Sequence, residues 1–190
     1  TPDLGPVYFD NSSNSGYQAA LSTYSWNHTV GTNNNRLLIV GVSIFAAGSV
    51  SGITYNGVAL TKIRSDVNGV YRSELWYLLA PATGTHSVAV TLSTSLTSIA
   101  GAASYWNTDQ LDPININAGN NGTNTPASAS ITSVDNNNRI IGNLAAQTTS
   151  GISDQIGQAK RWVNQGALGT NAAAEIGIVT PAGTVTMQWN

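Results

Sequence analysis

The sequence predicts an all-β fold: a two-sheet antiparallel β-sandwich of the jelly-roll or immunoglobulin-like Greek-key type, with little or no helix. Short apolar or alternating runs are separated by turn signals at intervals of roughly ten residues, which gives about a dozen short strands. No stretch has a convincing helical period of apolar residues. No linker divides the 190 residues, so we expect a single domain that spans residues 1–190.

The predicted central strand runs from Asn35 to Phe45. This stretch is almost uninterrupted apolar sequence, rich in Ile and Val, and turn residues flank it on both sides. A short run of this kind is typical of a strand that is buried on both faces. A weaker copy of the turn, the Arg and the apolar start lies at residues 135–142, which predicts a second central strand in a facing sheet.

The N-terminal part divides into three predicted elements. Val7-Tyr8-Phe9 reads as a short apolar strand, residues 10–16 as a polar loop, and residues 21–30 as an alternating strand. The alternation places Asn27 on the solvent face of that last strand.

Turn chemistry and small residues define the rest of the chain. Asn56-Gly57 and Asn68-Gly69 predict hairpins, because both residues of each pair accept positive φ. The strand predicted at residues 99–106 is rich in Gly and Ala, which leaves room for a large group to pack over it. The last hairpin is predicted between residues 172–179 and residues 184–189.

The composition excludes several classes of partner. Charged residues make up only 8% of the chain and the net charge is -2. Nucleic-acid binding needs clustered basic residues, and those of this chain are scattered. No apolar run reaches the length of a membrane span, and no signal peptide is present. The start at Thr1 rather than Met is typical of a processed mature protein or of a trimmed chain. A surface of Ser, Thr and Asn predicts an extracellular or cell-surface location.

Three Asn-x-Ser/Thr sequons are candidate N-glycosylation sites in a host that glycosylates. They begin at Asn11, Asn27 and Asn121. In a chain so rich in Asn, Ser and Thr, chance occurrence is the alternative explanation for each of them.

No catalytic residue and no cofactor are predicted. His28 lies on the apolar face of a strand and His86 beside a turn, and neither belongs to a Ser-His-Asp order with a nucleophile elbow. Asp109 and Asp112 share a loop with Asn neighbours and are the candidates for a Ca²⁺ site. The Asp-x-Asp-x-Asp spacing is missing, so ordinary solvation of a loop is the alternative.

Aromatic side chains supply the candidates for sugar binding. Trp106, at a strand end beside a long loop, and Trp162 are the candidate platforms on which a carbohydrate could stack. Packing in the core or at a sheet edge is the alternative for both. Trp26 and Trp189 lie on the apolar faces of alternating strands, which favours the core.

Five segments of the chain resemble a β-sandwich module of bacterial and phage surface proteins. They are residues 35–43, 53–61, 74–79, 80–88 and 101–105. The resemblance covers roughly residues 7–189 and consists of turns and core strands. It therefore implies a fold and a setting in secreted, multidomain surface or carbohydrate-active proteins, with no catalytic residue to carry over.

One departure from the modules that this chain resembles suggests an assembly mechanism. In those modules another apolar strand usually follows the last hairpin and closes the sandwich, whereas this sequence ends at Asn190. An absent strand would leave an apolar groove with unpaired backbone, which a strand from another copy can fill. Filling of this head-to-tail kind does not close on itself and produces a filament.

The predicted donor is the N-terminal segment, residues 1–9, with Val7, Tyr8 and Phe9 as its apolar part. Val185, Met187 and Trp189 are predicted to line the acceptor groove. The alternative is that residues 7–9 pair within their own subunit.

Three functional hypotheses follow. The first is a non-enzymatic extracellular structural subunit that assembles with copies of itself into a filament or surface layer. The second is a lectin-like carbohydrate-binding module of a secreted protein that uses Trp106 and Trp162. The third is a phage decoration or fibre domain.

Overall fold

The structure is a computed structural model that describes residues 5–148, 151–153 and 156–190. All regular elements in these ranges are strands, and all their pairings are antiparallel, which confirms the predicted all-β sandwich class. No helix that could cross a membrane occurs in the described part of the chain. The strands are β1 (Tyr8–Val30), β2 (Leu37–Phe45), β3 (Val50–Tyr55), β4 (Val58–Ala59), β5 (Thr61–Asn68), β6 (Tyr71–Leu79), β7 (Gly84–Trp106), β8 (Ala127–Thr132), β9 (Asn138–Ala146), β10 (Gln158–Gly166), β11 (Gly169–Val179) and β12 (Thr184–Trp189).

A seven-stranded sheet folds over on itself to enclose the first core. Its order is β4-β3-β7-β2-β6-β5, and β1 pairs with β7. The first half of β7 pairs with β3 and its second half with β2, so the long strand passes from one layer to the other. Val90 from the first layer and Val40 from the second meet in one buried cluster. Two nearly closed layers therefore share one apolar interior.

Strand β2 is the central strand that the sequence predicts. All nine of its residues are buried. Leu38 and Val40 face the first core, whereas Leu37 and Ile39 face a second core on the other side of the sheet. Burial on both faces explains why this strand is continuously apolar instead of alternating.

Two smaller sheets cover the outer face of β2. The sheet of order β10-β11-β9 packs on it, and the pair β12-β8 packs on the far side of that sheet. Alternate residues of β11 face opposite sides of its sheet. Ala173 packs in the core toward β2, whereas Ala172 and Ala174 pack in the core toward β12. Small side chains at these positions let the three layers approach closely.

Two predicted pairings are wrong. Strand β9, at the weaker copy of the central motif, lies at a sheet edge, and β11 is the central strand there. Residues 184–189 pair with β8 rather than with residues 172–179. Strand β11 pairs with β10 on one edge and with β9 on the other. It is therefore the central strand, and it has no edge left for residues 184–189. The Asn56-Gly57 hairpin is confirmed, with φ of 49° and 77° at the two residues.

The polar loop predicted at residues 10–16 is also wrong, because this stretch belongs to β1. Residues 11–14 pair with residues 101–104 of β7, and bulges near both ends of this stretch absorb the irregular register. Backbone pairing along a 23-residue partner strand does not require apolar side chains, so hydropathy gave no sign of it.

Candidate functional site

A chain of hydrogen bonds crosses β1 and β7 around the buried His28. Asp10 Oδ2 accepts from Ser104 Oγ at 2.7 Å, and Ser104 Oγ lies 3.1 Å from His28 Nε2. On the other side of the ring, Ser13 Oγ lies 2.8 Å from His28 Nδ1 and accepts from Trp26 Nε1 at 3.0 Å. Since the single Ser104 proton goes to Asp10, His28 Nε2 carries the hydrogen and Nδ1 accepts from Ser13.

This arrangement explains His28 as a structural residue rather than a general base. The ring is 1% exposed, and none of its partners lines the large cavity described below. Burial lowers the pKa of His28 to about 4, although the nearby Asp10 carboxylate acts in the opposite direction. The aspartate contacts a serine and not the histidine, which differs from a catalytic triad.

The depressed pKa of His28 makes the stability of the protein acid-sensitive. The folded state binds this proton more weakly than the unfolded state, so stability is full above pH 6.5 and falls as the pH drops toward 4. We expect the free energy of unfolding to decrease by about 2 kcal/mol between pH 7.5 and pH 5.0. Urea unfolding at the two pH values measures it.

The control for this prediction is His28→Gln, which removes the titrating group. We expect the variant to be less stable at pH 7.5 but to lose little further stability at pH 5.0. If both proteins lose the same free energy between the two pH values, groups other than His28 are responsible.

The predicted donor residues pair within their own chain. Tyr8 lies opposite Trp106 and Phe9 opposite Tyr105 in the β1–β7 ladder, and the rings of Tyr8 and Trp106 stack at 4.4 Å. Tyr8 and Phe9 thus pair within their own subunit, which is the alternative to donation to a neighbour. Residues 1–4 of the predicted donor lie outside the described residues.

A buried ionic cluster joins the three-stranded sheet to the strands next to the N-terminus. The fully buried Glu175 binds Arg139 and Arg161 through Oε1, and its Oε2 accepts from the Tyr105 hydroxyl at 2.7 Å. Burial, and then the charge of Glu175, raises the pKa of Tyr105 well above its ordinary value, so the hydroxyl remains a donor. The guanidinium of Arg161 also lies 3.5 Å from the centre of the Phe9 ring.

A further candidate site is a cavity of about 1010 Å³ beside β9, which we call the slot. It is bordered by β9, by β8 and the end of β12, by β5 and β6, and by residues 112–125 of the connection between β7 and β8. One wall, with Ile131, Met187 and Trp189, belongs to the core between the two smaller sheets. The opposite wall, with Ile63 and Leu75, belongs to the core on the outer face of the seven-stranded sheet.

The position of the slot corresponds to a fourth strand of the three-stranded sheet. In that sheet β10 contacts β1 and β7, and β9 contacts β2 and β6. The next position beyond β9 therefore lies alongside β5 and β6, where the slot is. Among the described residues, strand β9 pairs with β11 alone, so one of its edges has no partner strand there.

The backbone direction along β9 can be assigned from side-chain contacts. The carbonyl of Leu144 accepts from Asn171 Nδ2 of β11 at 3.1 Å and therefore faces β11. The carbonyl of Asn143 accepts from Ser73 Oγ of β6 and faces away from β11. Backbone groups alternate along a strand. The outward-facing positions are thus Ile141, Asn143 and Ala145.

One buried donor at the slot lacks an acceptor. Trp189 is 7% exposed and borders the slot, and its Nε1 has no hydrogen-bond partner among the described residues. A buried N–H without an acceptor costs stability, so native proteins usually satisfy such groups.

The connection between β7 and β8, residues 107–126, lies across the slot. Asn121 Nδ2 donates to the Val67 carbonyl of β5, and Asn120 Nδ2 donates to the Ser128 carbonyl of β8. The connection is thus tied to both walls by amide side chains.

Met187 and Trp189 of the predicted groove border the slot, whereas Val185 does not. Sequence reasoning predicted the strand at β9 but gave it a central position, so it missed the free edge that β9 supplies. No local feature of the sequence marks β9 as an edge strand.

Trp162 is wrong as a sugar platform, because it is a core residue with only 5% exposure. Its indole covers Gly101, which confirms that a large group packs over the small-residue strand, and its Nε1 donates to Asn171 Oδ1 at 2.6 Å. Trp106 is half-buried, and the Tyr8 ring covers one of its faces.

In the predicted Ca²⁺ site, the Asp109 side chain accepts hydrogen bonds from the backbone of its own loop. Asp109 Oδ1 accepts from the backbone N–H of Leu111 at 2.7 Å and lies 3.3 Å from that of Asp112. No group of three or more His, Cys, Asp or Glu side chains placed to hold a metal occurs in residues 5–148, 151–153 and 156–190.

The three sequons differ in how their Asn side chains are engaged. Asn27 is exposed on the solvent face of β1, as predicted. Asn11 Nδ2 donates to the Thr29 carbonyl, and Asn121 Nδ2 donates to the Val67 carbonyl. A glycan at either of the latter two would replace an existing hydrogen bond.

Comparison with known proteins identifies no relative: no protein-family model matches the chain, and no curated protein or solved structure matches it.

Proposed function

We propose that the protein is a non-enzymatic, extracellular structural subunit that assembles with copies of itself into a filament or surface layer. The observation that carries the proposal is the free edge of β9 beside a slot that has apolar side chains on two of its walls and polar side chains elsewhere. A free strand edge pairs readily with an added strand, and apolar walls provide pockets for its side chains.

The assembly is head-to-tail. A strand of one subunit enters the slot of the next, and because donor and acceptor are different surfaces, the contact repeats without closing. The nearly uncharged surface supports such packing, since only 8% of the residues carry charge and subunits repel one another weakly.

Electron microscopy of the purified protein tests the proposal. We expect fibres or sheets in negative stain, and light scattering that rises with protein concentration. Removal of residues 1–7 should leave single subunits, while Thr29→Ala, on the distant solvent face of β1, should assemble normally. Single subunits of the full chain at every concentration would contradict self-assembly, and polymers of the truncated chain would contradict an N-terminal donor.

A carbohydrate-binding module is the second candidate, and one observation favours it. Tyr8 is 39% exposed and stacks on Trp106, so the outer face of this aromatic pair is open to a sugar ring. A glycan array separates the two functions, because glycan binding that disappears in Tyr8→Ala would favour the module.

A further inference from the structure

We propose that the slot binds residues 1–7 of a second copy as a fourth strand beside β9, and that a carbonyl of this strand accepts the hydrogen bond of Trp189 Nε1. The inference rests on the proposed function and names its acceptor site and its ligand, an extended segment whose one charged side chain is Asp3.

Two independent features of the slot favour a peptide backbone over other ligands. The outward-facing positions of β9 offer N–H and C=O groups at the regular spacing of a strand. The Trp189 indole adds a buried donor that needs an oxygen acceptor. An extended segment supplies both kinds of group along its length, whereas a purely apolar ligand supplies neither.

The sequence ahead of Tyr8 suits this role. It reads Thr-Pro-Asp-Leu-Gly-Pro-Val, and both prolines occupy even positions. Since backbone groups alternate, Asp3, Gly5 and Val7 present their N–H groups to one edge, and the prolines lie on the other, as proline in an edge strand requires. Three donor positions thus match the three outward-facing positions of β9.

Residues 5–7 make contacts in their own subunit that strand exchange has to replace. Gly5 and Val7 line the slot of their own chain, and Val7 packs against the second core. The Val7 N–H donates to the Asn137 carbonyl at 3.4 Å, the Val7 carbonyl accepts from Arg139 Nε at 3.1 Å, and the Pro6 carbonyl accepts from Asn107 Nδ2 at 3.0 Å. Strand pairing in a neighbour replaces these hydrogen bonds and leaves Tyr8 stacked on Trp106.

Substitution of the free edge tests the site. In Ala145→Pro the outward N–H is lost while the ladder to β11 is kept, because proline is tolerated where the N–H has no partner. We expect the concentration needed for assembly to rise at least about tenfold, against less than about twofold for Ala145→Ser. Assembly of Ala145→Pro at the wild-type concentration would overturn the inference.

A second pair of variants tests the slot independently, in case Ala145→Pro does not fold. Ala129 faces inward, because it lies opposite the buried Met187, and it lines the slot. Thr132 is exposed, bonds Thr184 on the outer face and does not line the slot. Ala129→Phe should block assembly by filling the slot, and Thr132→Phe should not. Equal assembly of the two variants would count against the slot.

A peptide titration separates the inference from self-assembly. A synthetic peptide of residues 1–9 is added to the full-length chain, and the indole N–H signals are followed by NMR, with Trp189→Phe identifying that of Trp189. We expect this signal to shift downfield and exchange slowly. If the full chain never polymerises but the peptide shifts the signal, the slot stands and the proposed function fails. If polymers form while the peptide leaves the signal unchanged, the function stands and this inference fails.

Discussion

Replacement of Glu175 by Gln is expected to lower the free energy of unfolding by about 3–5 kcal/mol, the cost of removing one partner from a buried ion pair. Gln keeps the shape of the side chain but removes its charge. Arg139 and Arg161, whose side chains are only 12% and 16% exposed, would then face each other without a shared anion. Because this cluster connects β9, β10 and β11 with Tyr105 of β7, its loss weakens the contact between two sheets.

Tyr105→Phe is the matched control for this experiment. It removes one hydrogen bond to the same carboxylate and leaves the charges in place. We expect a smaller loss of about 1.5–3 kcal/mol, the usual contribution of a hydrogen bond to a charged group. Equilibrium unfolding in urea at pH 7 measures both variants. A loss below about 1 kcal/mol in Glu175→Gln would mean that the two guanidinium groups find other partners or water.

The sequence was most informative where one residue pattern permits one arrangement. The continuous apolar run at residues 35–45 fits only a strand that is buried on both faces, and β2 is such a strand. The Asn56-Gly57 pair fits a tight turn because both residues accept positive φ, and the structure has it there. In each case the signal is local, so no knowledge of distant residues was needed.

The partners of strands could not be predicted in the same way. Residues 11–14 are polar, and they form a strand only because β7 runs beside them, about 90 positions away along the chain. Likewise, β12 pairs with β8 because β11 is already paired on both edges. Register and sheet order depend on which edges remain free, and hydropathy along one strand does not contain that information.

The candidate site was partly predictable for the same reason. Met187 and Trp189 were found at the slot because alternation identifies the apolar face of a strand. The same reasoning failed for Trp162, whose neighbours Lys160 and Arg161 suggested a surface position. Arg161 instead binds the buried Glu175, and a sequence cannot show such pairing between distant charges.

Substitution of Gly101 by Ala is expected to destabilise the protein by about 3 kcal/mol, at the upper end for added volume in a packed core. A Cβ at this position would overlap Trp162 Cε2, because the two atoms would be far closer than non-bonded atoms approach. The indole cannot move away easily, because its Nε1 is hydrogen-bonded to Asn171 and the ring is buried. The three-stranded sheet would have to separate from β7, or Trp162 would have to give up its hydrogen bond.

Gly52→Ala is the matched control, because Gly52 also lies in a strand and a Cβ there would meet nothing within 4 Å. It should change stability by less than about 0.5 kcal/mol. Gly101→Ala combined with Trp162→Leu should cost at least about 1 kcal/mol less than the sum of the two single changes, since residues in contact are not additive. Additive losses would show that the two residues do not contact each other, and the packing of the three-stranded sheet on β7 would then differ from that described. The close approach of these sheets places β9 beside β6 and leaves the slot next to it, so the same measurement also tests the geometry on which strand binding depends.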